Sequence, residues 1–264
     1  MELTVMRHLL LCLTCVSMLA CGRGVELDDA EDADESVNVT STESALTSTL
    51  TDDLGQPMSA TGDDLAQAAV TRIGARLQPQ GCVVATRTGN TVTYVFTNCT
   101  GPYGLVTLNG TVVAVYTPQA GGGVQAVVTS TGFKANEATF DLNATVIGTE
   151  TNGVKKAQVT ARSEGTGPRG GTFTRDGAYT ATYDPGSECV TLDGSWQTKA
   201  GLRQGSTVVA GYQRCKGSCP AAGGSITHTT ARGGATVLSY DGSATATWTT
   251  AAGRTGTLAL RCGG

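Results

Sequence analysis

From residue 82 to the C-terminus, apolar and polar positions alternate along most of the chain. Val92, Tyr94 and Phe96 share one face of Thr91–Asn98, and Ala138, Phe140, Leu142, Ala144 and Val146 alternate with Thr139, Asp141, Asn143 and Thr145. The same two-residue period runs through Ala157, Val159 and Ala161, then Tyr179, Ala181 and Tyr183, then Val190 and Leu192, then Ala244, Ala246 and Trp248, and finally Leu258 and Leu260. A period of two is that of a strand with one buried and one wet face. Glycine-rich and Asn/Asp-Gly turn signals separate the runs, at 121–123, 151–153, 167–171, 184–186 and 252–254. The pattern predicts about a dozen strands in a mainly β, antiparallel meander, either barrel-like or two-layered.

One segment has a different period. Leu65, Ala69, Ile73 and Leu77 recur every fourth residue with Val70 beside them, after Thr61-Gly62-Asp63-Asp64. This predicts one N-terminal amphipathic helix, from about residue 63 to 77, that packs on the sheet. The two Asp residues sit where the positive end of its dipole favours them. Between residues 22 and 60 neither period holds, apart from a nascent helical turn at 44–54 that Gln56-Pro57 would end.

Composition supports an all-β body and sets a difficulty for it. Gly numbers 36, aromatics are 5% and charged residues 15%. Thr and Val favour strands and Gly supplies bends, but so few aromatic side chains imply a thin core that needs further support. Charge is divided along the chain. Residues 22–53 carry ten acidic residues against one basic, a net −9, whereas residues 82–264 carry fourteen basic against nine acidic, a net +5. A positive body could attract an anionic envelope polymer or lipid. Its basic residues (Arg87, Lys134, Lys155, Lys156, Arg162, Arg169, Arg203 and Arg254 among them) are scattered, however, as on an ordinary solvated surface. No run of them suits nucleic acid.

The N-terminus reads as an export signal. Leu9–Ala20 is too short to cross a bilayer but fits the apolar region of a secretory signal, with Arg7 before it. Met18-Leu19-Ala20-Cys21 resembles the lipobox of bacterial lipoproteins, whose Cys is acylated and becomes the mature N-terminus. Met18 and Leu19 depart from the usual Leu and small residue, while Ala20 fits. The resemblance implies lipidation at Cys21 and attachment to the membrane through its acyl chains. It divides the chain into a signal peptide (1–20), an acidic flexible tether (21–60) and a helix-plus-meander domain (61–264). Glu2 suits a signal poorly, which points to translation starting at Met6.

Cys12 and Cys15 leave with the signal, so six thiols remain: Cys82, Cys99, Cys189, Cys215, Cys219 and Cys262. An even number in an exported protein implies disulfides. Cys82 and Cys99 end a hairpin that turns near Gly89-Asn90, so they should pair. Strands at 189–198 and 204–214, turning around Ala200-Gly201, bring Cys189 opposite Cys215. Cys219 and Cys262 then pair by elimination, although a local Cys215–Cys219 bridge is also feasible. A zinc site from Cys189, Cys215, Cys219 and His228 is the competing use, but structural zinc prefers tighter, repeated Cys pairs.

A weak repeat runs through the body: Leu108-Asn109-Gly110-Thr111, Leu192-Asp193-Gly194-Ser195 and Tyr240-Asp241-Gly242-Ser243, with Arg175-Asp176-Gly177-Ala178 a looser copy. Each is either a hairpin turn or a bend within a long strand. A carboxylate row for calcium or sugar is the functional alternative, but the dense acidic spacing of a calcium loop is missing. No chemistry-bearing motif emerges. There is no Gly-x-Ser-x-Gly elbow or phosphate loop, and His228 lies in a Thr-rich strand where an exposed position is expected. Trp196 and Trp248 fall on apolar faces and should pack in the core. No catalytic residue, cofactor site or metal site is assigned.

Asn98-Cys99-Thr100-Gly101-Pro102-Tyr103-Gly104 and the string from Gly211 to Gly224, with Arg214-Cys215-Lys216-Gly217-Ser218-Cys219-Pro220 at its centre, complete the picture. With them the chain from Cys21 onward resembles uncharacterised Thr/Gly-rich lipoproteins of myxobacterial type. That resemblance implies export, lipidation and a disulfide-bonded β body, and carries over no activity. The expected function is a non-enzymatic envelope protein for structure, adhesion or binding, located in the outer membrane or on the periplasmic face. A carrier of an apolar ligand inside a curved sheet is the alternative, followed by a hydrolase with unrecognised carboxylates in a cleft.

Overall fold

The computed structural model describes residues 61–100, 107–120, 123–167, 170–184, 186–187, 189–200, 203–215 and 218–260. The signal peptide, the tether with its helical turn, Cys21 and Cys262 lie outside them.

Thirteen strands form one antiparallel sheet whose spatial order is the chain order. They are β1 (Val83–Thr88), β2 (Thr91–Thr100), β3 (Thr107–Pro118), β4 (Val124–Ala135), β5 (Ala138–Thr151), β6 (Val154–Thr166) and β7 (Thr172–Asp184). There follow β8 (Cys189–Ala200), β9 (Arg203–Cys215), β10 (Ser225–Thr230), β11 (Ala235–Tyr240), β12 (Thr245–Thr250) and β13 (Thr255–Ala259). The expected meander is present, but among the described residues the sheet is not closed: β1 pairs only with β2, and β13 only with β12.

Helix α1 (Gly62–Arg72) precedes the sheet and continues into a 3₁₀ turn, Ile73–Arg76. Its start is fixed by a capping box. The Thr61 hydroxyl accepts from the Asp64 backbone N–H, and the Asp64 carboxylate accepts from the Thr61 backbone N–H at 2.9 Å. Leu65, Ala69, Ile73 and Leu77 are all buried, as their spacing predicted, and the helix packs on β1–β3. Arg87 of β1 ties down its first turn, through the Asp63 carboxylate at 3.7 Å.

The helix among the described residues reaches only β1–β3. The inward residues of the sheet nevertheless form a single continuous core reaching from Val92 on β2 to Ala246 on β12. That core lines the inner face of the sheet along its whole width. Aromatic rings carry that packing. Phe96, Phe133 and Phe140 stack edge to face at centroid separations of 5.7 and 6.0 Å, and Tyr212 meets Tyr240 at 5.3 Å. Trp196 is buried as expected, with the Arg175 guanidinium 4.3 Å above its ring, whereas Trp248 is half-buried and packs against the core.

Three strands change their inward parity part-way along. In β2 the buried positions step from Phe96 to Cys99, in β4 from Ser130 to Phe133, and in β9 from Val209 to Tyr212. At each step the register slips and one residue takes the left-handed conformation: Asn98 at φ 49°, Gly132 at φ 60° and Gly211 at φ 59°. These are β-bulges, in which one extra residue re-aims all that follow. In each, the N–H of the left-handed residue donates to an Asn or Asp side chain on a neighbouring strand. Asn98 donates to Asn109 at 2.6 Å, Gly132 to Asp141 at 2.6 Å and Gly211 to Asp193 at 2.7 Å. Two members of the sequence repeat are thereby explained. Asn109-Gly110 and Asp193-Gly194 are clamps on a neighbouring bulge, Asp241-Gly242 is the β11–β12 turn, and Asp176-Gly177 lies in the continuous strand β7.

Candidate functional site

Cys82 and Cys99 are disulfide-bonded, and so are Cys189 and Cys215, which face each other directly in the β8–β9 register. Both pairings agree with the hairpin geometry read from sequence. The bulge at Asn98 matters to the first, because it turns Cys99 to the interior beside Cys82, where both are buried. Cys219 is disulfide-bonded as well, which removes the local Cys215–Cys219 bridge, and its expected partner Cys262 is outside the described residues. With these thiols oxidised, the zinc reading loses its ligands. Among the described residues no group of His, Cys, Asp and Glu could hold a metal ion. Such bridges form and persist in oxidising surroundings, so the body belongs outside the cytoplasm.

His228 is not exposed. It points inward from β10 and is buried, its Nδ1 3.0 Å from the Thr207 hydroxyl and its ring edge lying over Gly205. The Thr-rich sequence around it alternates so that Ile226 and His228 take the inner positions. Gly205 leaves the space the imidazole occupies, because a Cβ there would stand 2.6 Å from Cε1.

The outer face of the sheet is polar. Among the described residues its exposed large apolar side chains are Val84 and Val95, direct partners across β1–β2, and Val127, Val154 and Val208 on three other strands, too few for a continuous band. A strand-built membrane span needs such a band facing lipid. No helix among the described residues is long and apolar enough to cross a membrane.

On this outer face, across β5–β8, lies a groove of about 560 Å³. Two cross-strand rows of outward side chains line it. The first is Asn143, Arg162, Asp176 and Gln197, each directly paired with the next; the second is Thr145, Thr160, Ala178 and Ser195. Between the rows the sheet itself forms the floor at Ala161, Gly177 and Trp196. The hollow has a simple origin, since Ala178 is the small member of a row otherwise made of hydroxyl side chains. Gly177 is required by the floor: a Cβ there would run into the Cβ of Trp196 and lie 2.8 Å from the Ser195 carbonyl oxygen. Beneath the floor, on the inner face, Arg175, Ser163, Tyr179 and Trp196 border a gap with no room for a water molecule, so the groove is not the mouth of a cavity.

Arg162 and Asp176 are 3.7 Å apart and both remain well exposed, so the groove carries one positive and one negative charge in near contact. Asp176 is its one carboxylate. Asp141 and Glu164 face each other one row further along β5 and β6, outside the groove, and Asp141 is engaged with the Gly132 N–H. Sequence reasoning named Asp176 as part of a repeat and Arg162 as a scattered base. It did not bring them together, because a cross-strand row depends on register, and the bulges and turn lengths that set register are not a periodic signal.

No protein-family model matches the chain, and comparison with curated proteins and with solved structures finds no similar protein.

Proposed function

We propose that this chain is a lipid-anchored protein of the bacterial cell envelope, held to the membrane through Cys21, whose β body serves by binding or adhesion and not by catalysis. The observation that carries the reading is the combination of a disulfide-stapled body and a mostly polar outer face. A body of that kind suits an oxidising aqueous space, and the lipobox Cys supplies the attachment to the membrane. The acidic stretch after Cys21 supports a leash that repels itself and extends. Binding is favoured over hydrolysis because the groove offers a hydrogen-bonding row with a single carboxylate, whereas glycoside hydrolysis ordinarily uses two flanking the scissile bond. Nothing described favours the carrier: the inward face of β2–β5 is filled by Tyr94, Phe96, Tyr116, Phe133 and Phe140.

The test is the mass and partitioning of the mature protein. Full-length protein made in a bacterial host should fractionate with membranes, begin at Cys21 and carry the added mass of acyl chains. Cys21→Ser should abolish the added mass and release the body from the membrane fraction. A wild-type protein found unacylated in the soluble fraction overturns the reading.

A further inference from the structure

We infer that the β5–β8 groove is a binding site for a neutral, hydroxyl-rich chain, that is, an uncharged polysaccharide of the envelope or its surroundings; this deepens the binding reading above and rests on it. Four observations lead there. The groove is open and elongated, crossing four strands, a span of about 14 Å at the usual inter-strand spacing. That suits an extended polymer laid across the strands better than a compact ligand enclosed on all sides. Its side chains are matched to hydroxyl groups. Asn143 and Gln197 at the ends each offer both a donor and an acceptor, Arg162 offers donors only, and Asp176 acceptors only. A sugar hydroxyl donates one bond and accepts others, so neighbouring hydroxyls can be satisfied by neighbouring members of this row.

Charge decides the ligand class. The single Arg and single Asp of the groove lie 3.7 Å apart and offset one another, leaving no net charge to recruit an anion or a cation. A phosphate or carboxylate polymer would gain from Arg162 and lose nearly as much to Asp176. The hydroxyls of Thr145, Thr160 and Ser195 add neutral donors and acceptors along the second row. Finally, the floor is rigid. Trp196 and Arg175 stack beneath it in the core, so the row is presented on packed strands and not on loops.

Affinity electrophoresis of the full-length protein, in native gels containing dextran, soluble starch or xyloglucan with polygalacturonate as the charged control, tests the assignment. Retardation is expected in at least one neutral polysaccharide, unchanged by added salt. Arg162→Ala with Gln197→Ala should weaken it by roughly five- to tenfold, as for the loss of one or two hydrogen bonds. Ala178→Phe fills the hollow from an exposed strand position that tolerates an aromatic side chain, and should abolish retardation while thermal unfolding stays near wild type. No retardation in any neutral polymer, retardation that survives Ala178→Phe, or retardation confined to polygalacturonate and lost in salt would each overturn it. Protein that is acylated at Cys21 yet gives one of these results sinks the groove assignment alone, whereas an unacylated protein that still binds a neutral polymer sinks only the anchor.

Discussion

Single residues carry more than their size suggests in a sheet with so few aromatics. Tyr94 and Tyr116 share a buried hydroxyl–hydroxyl bond of 2.7 Å, and burial pushes both phenols well above their ordinary value near 10. Both groups are neutral when protonated and titrate more readily in the unfolded chain. Their contribution is therefore complete below about pH 10 and is lost as pH rises further. Alkaline unfolding followed by circular dichroism should begin near that pH, and the double variant Tyr94→Phe, Tyr116→Phe should move its onset upward. Gly177 gives a second test. Gly177→Ala forces a Cβ onto Trp196 and should destabilise the fold by about 1–3 kcal/mol, read as a lower urea midpoint. Gly194→Ala should behave alike, because its Cβ would meet Tyr179. Inward-facing aromatics such as Tyr94, Phe96 and Phe140 were legible from alternation alone. The burial of His228 was not, because what decides it is Gly205, two positions from its direct strand partner Thr207.

Among elements, the helix was the easiest to read and the bulges the hardest. Thr61 and Asp64 announce the start of α1, and the capping box confirms it. Hydrogen bonds from the Thr61 backbone and then its side chain hold the Asp64 carboxyl below its ordinary value of 3.8. That contribution is present above the ordinary value and is lost as pH falls through the depressed one. Protection of the α1 amides relative to the unfolded chain should accordingly fall as Asp64 is protonated in acid, and be lower at neutral pH in Thr61→Ala than in the wild type. The bulges hide because a parity change within a strand resembles the end of a pattern. Ala126 and Val128 lead into Phe133 and Ala135 with the phase broken at Gly132, and periodicity alone gives no reason to join them. The signal that could have shown them is the pairing of an Asn or Asp on one strand with a Gly or Asn on its neighbour. Removing a clamp should cost about 1 kcal/mol per bulge, so Asp193→Ala and Asp141→Ala should each lower the urea midpoint without changing the slope of the transition.

For the whole molecule, the strand number, the antiparallel meander and two of the disulfides followed from the sequence, because they depend on local period and turn spacing. Whether the sheet closes did not follow, since closure is set by accumulated twist and register. The groove did not follow either, for the same reason. The two described bridges close loops with sequence separations of 17 and 26 residues, and each should be worth about 2–4 kcal/mol to a body with a thin core. Replacing Cys189 and Cys215 by Ala should lower the unfolding temperature, with scanning calorimetry as the check.

The identity of spatial order and chain order has one more consequence. Every strand finds its partner in the stretch of polypeptide just before it, and no later segment must be threaded between earlier ones. A chain delivered to its compartment from the N-terminal side can thus build the sheet hairpin by hairpin as it emerges, each new strand docking on a finished edge. The same property lets a lineage lengthen or shorten the sheet by whole hairpins at either rim without rewiring the remainder.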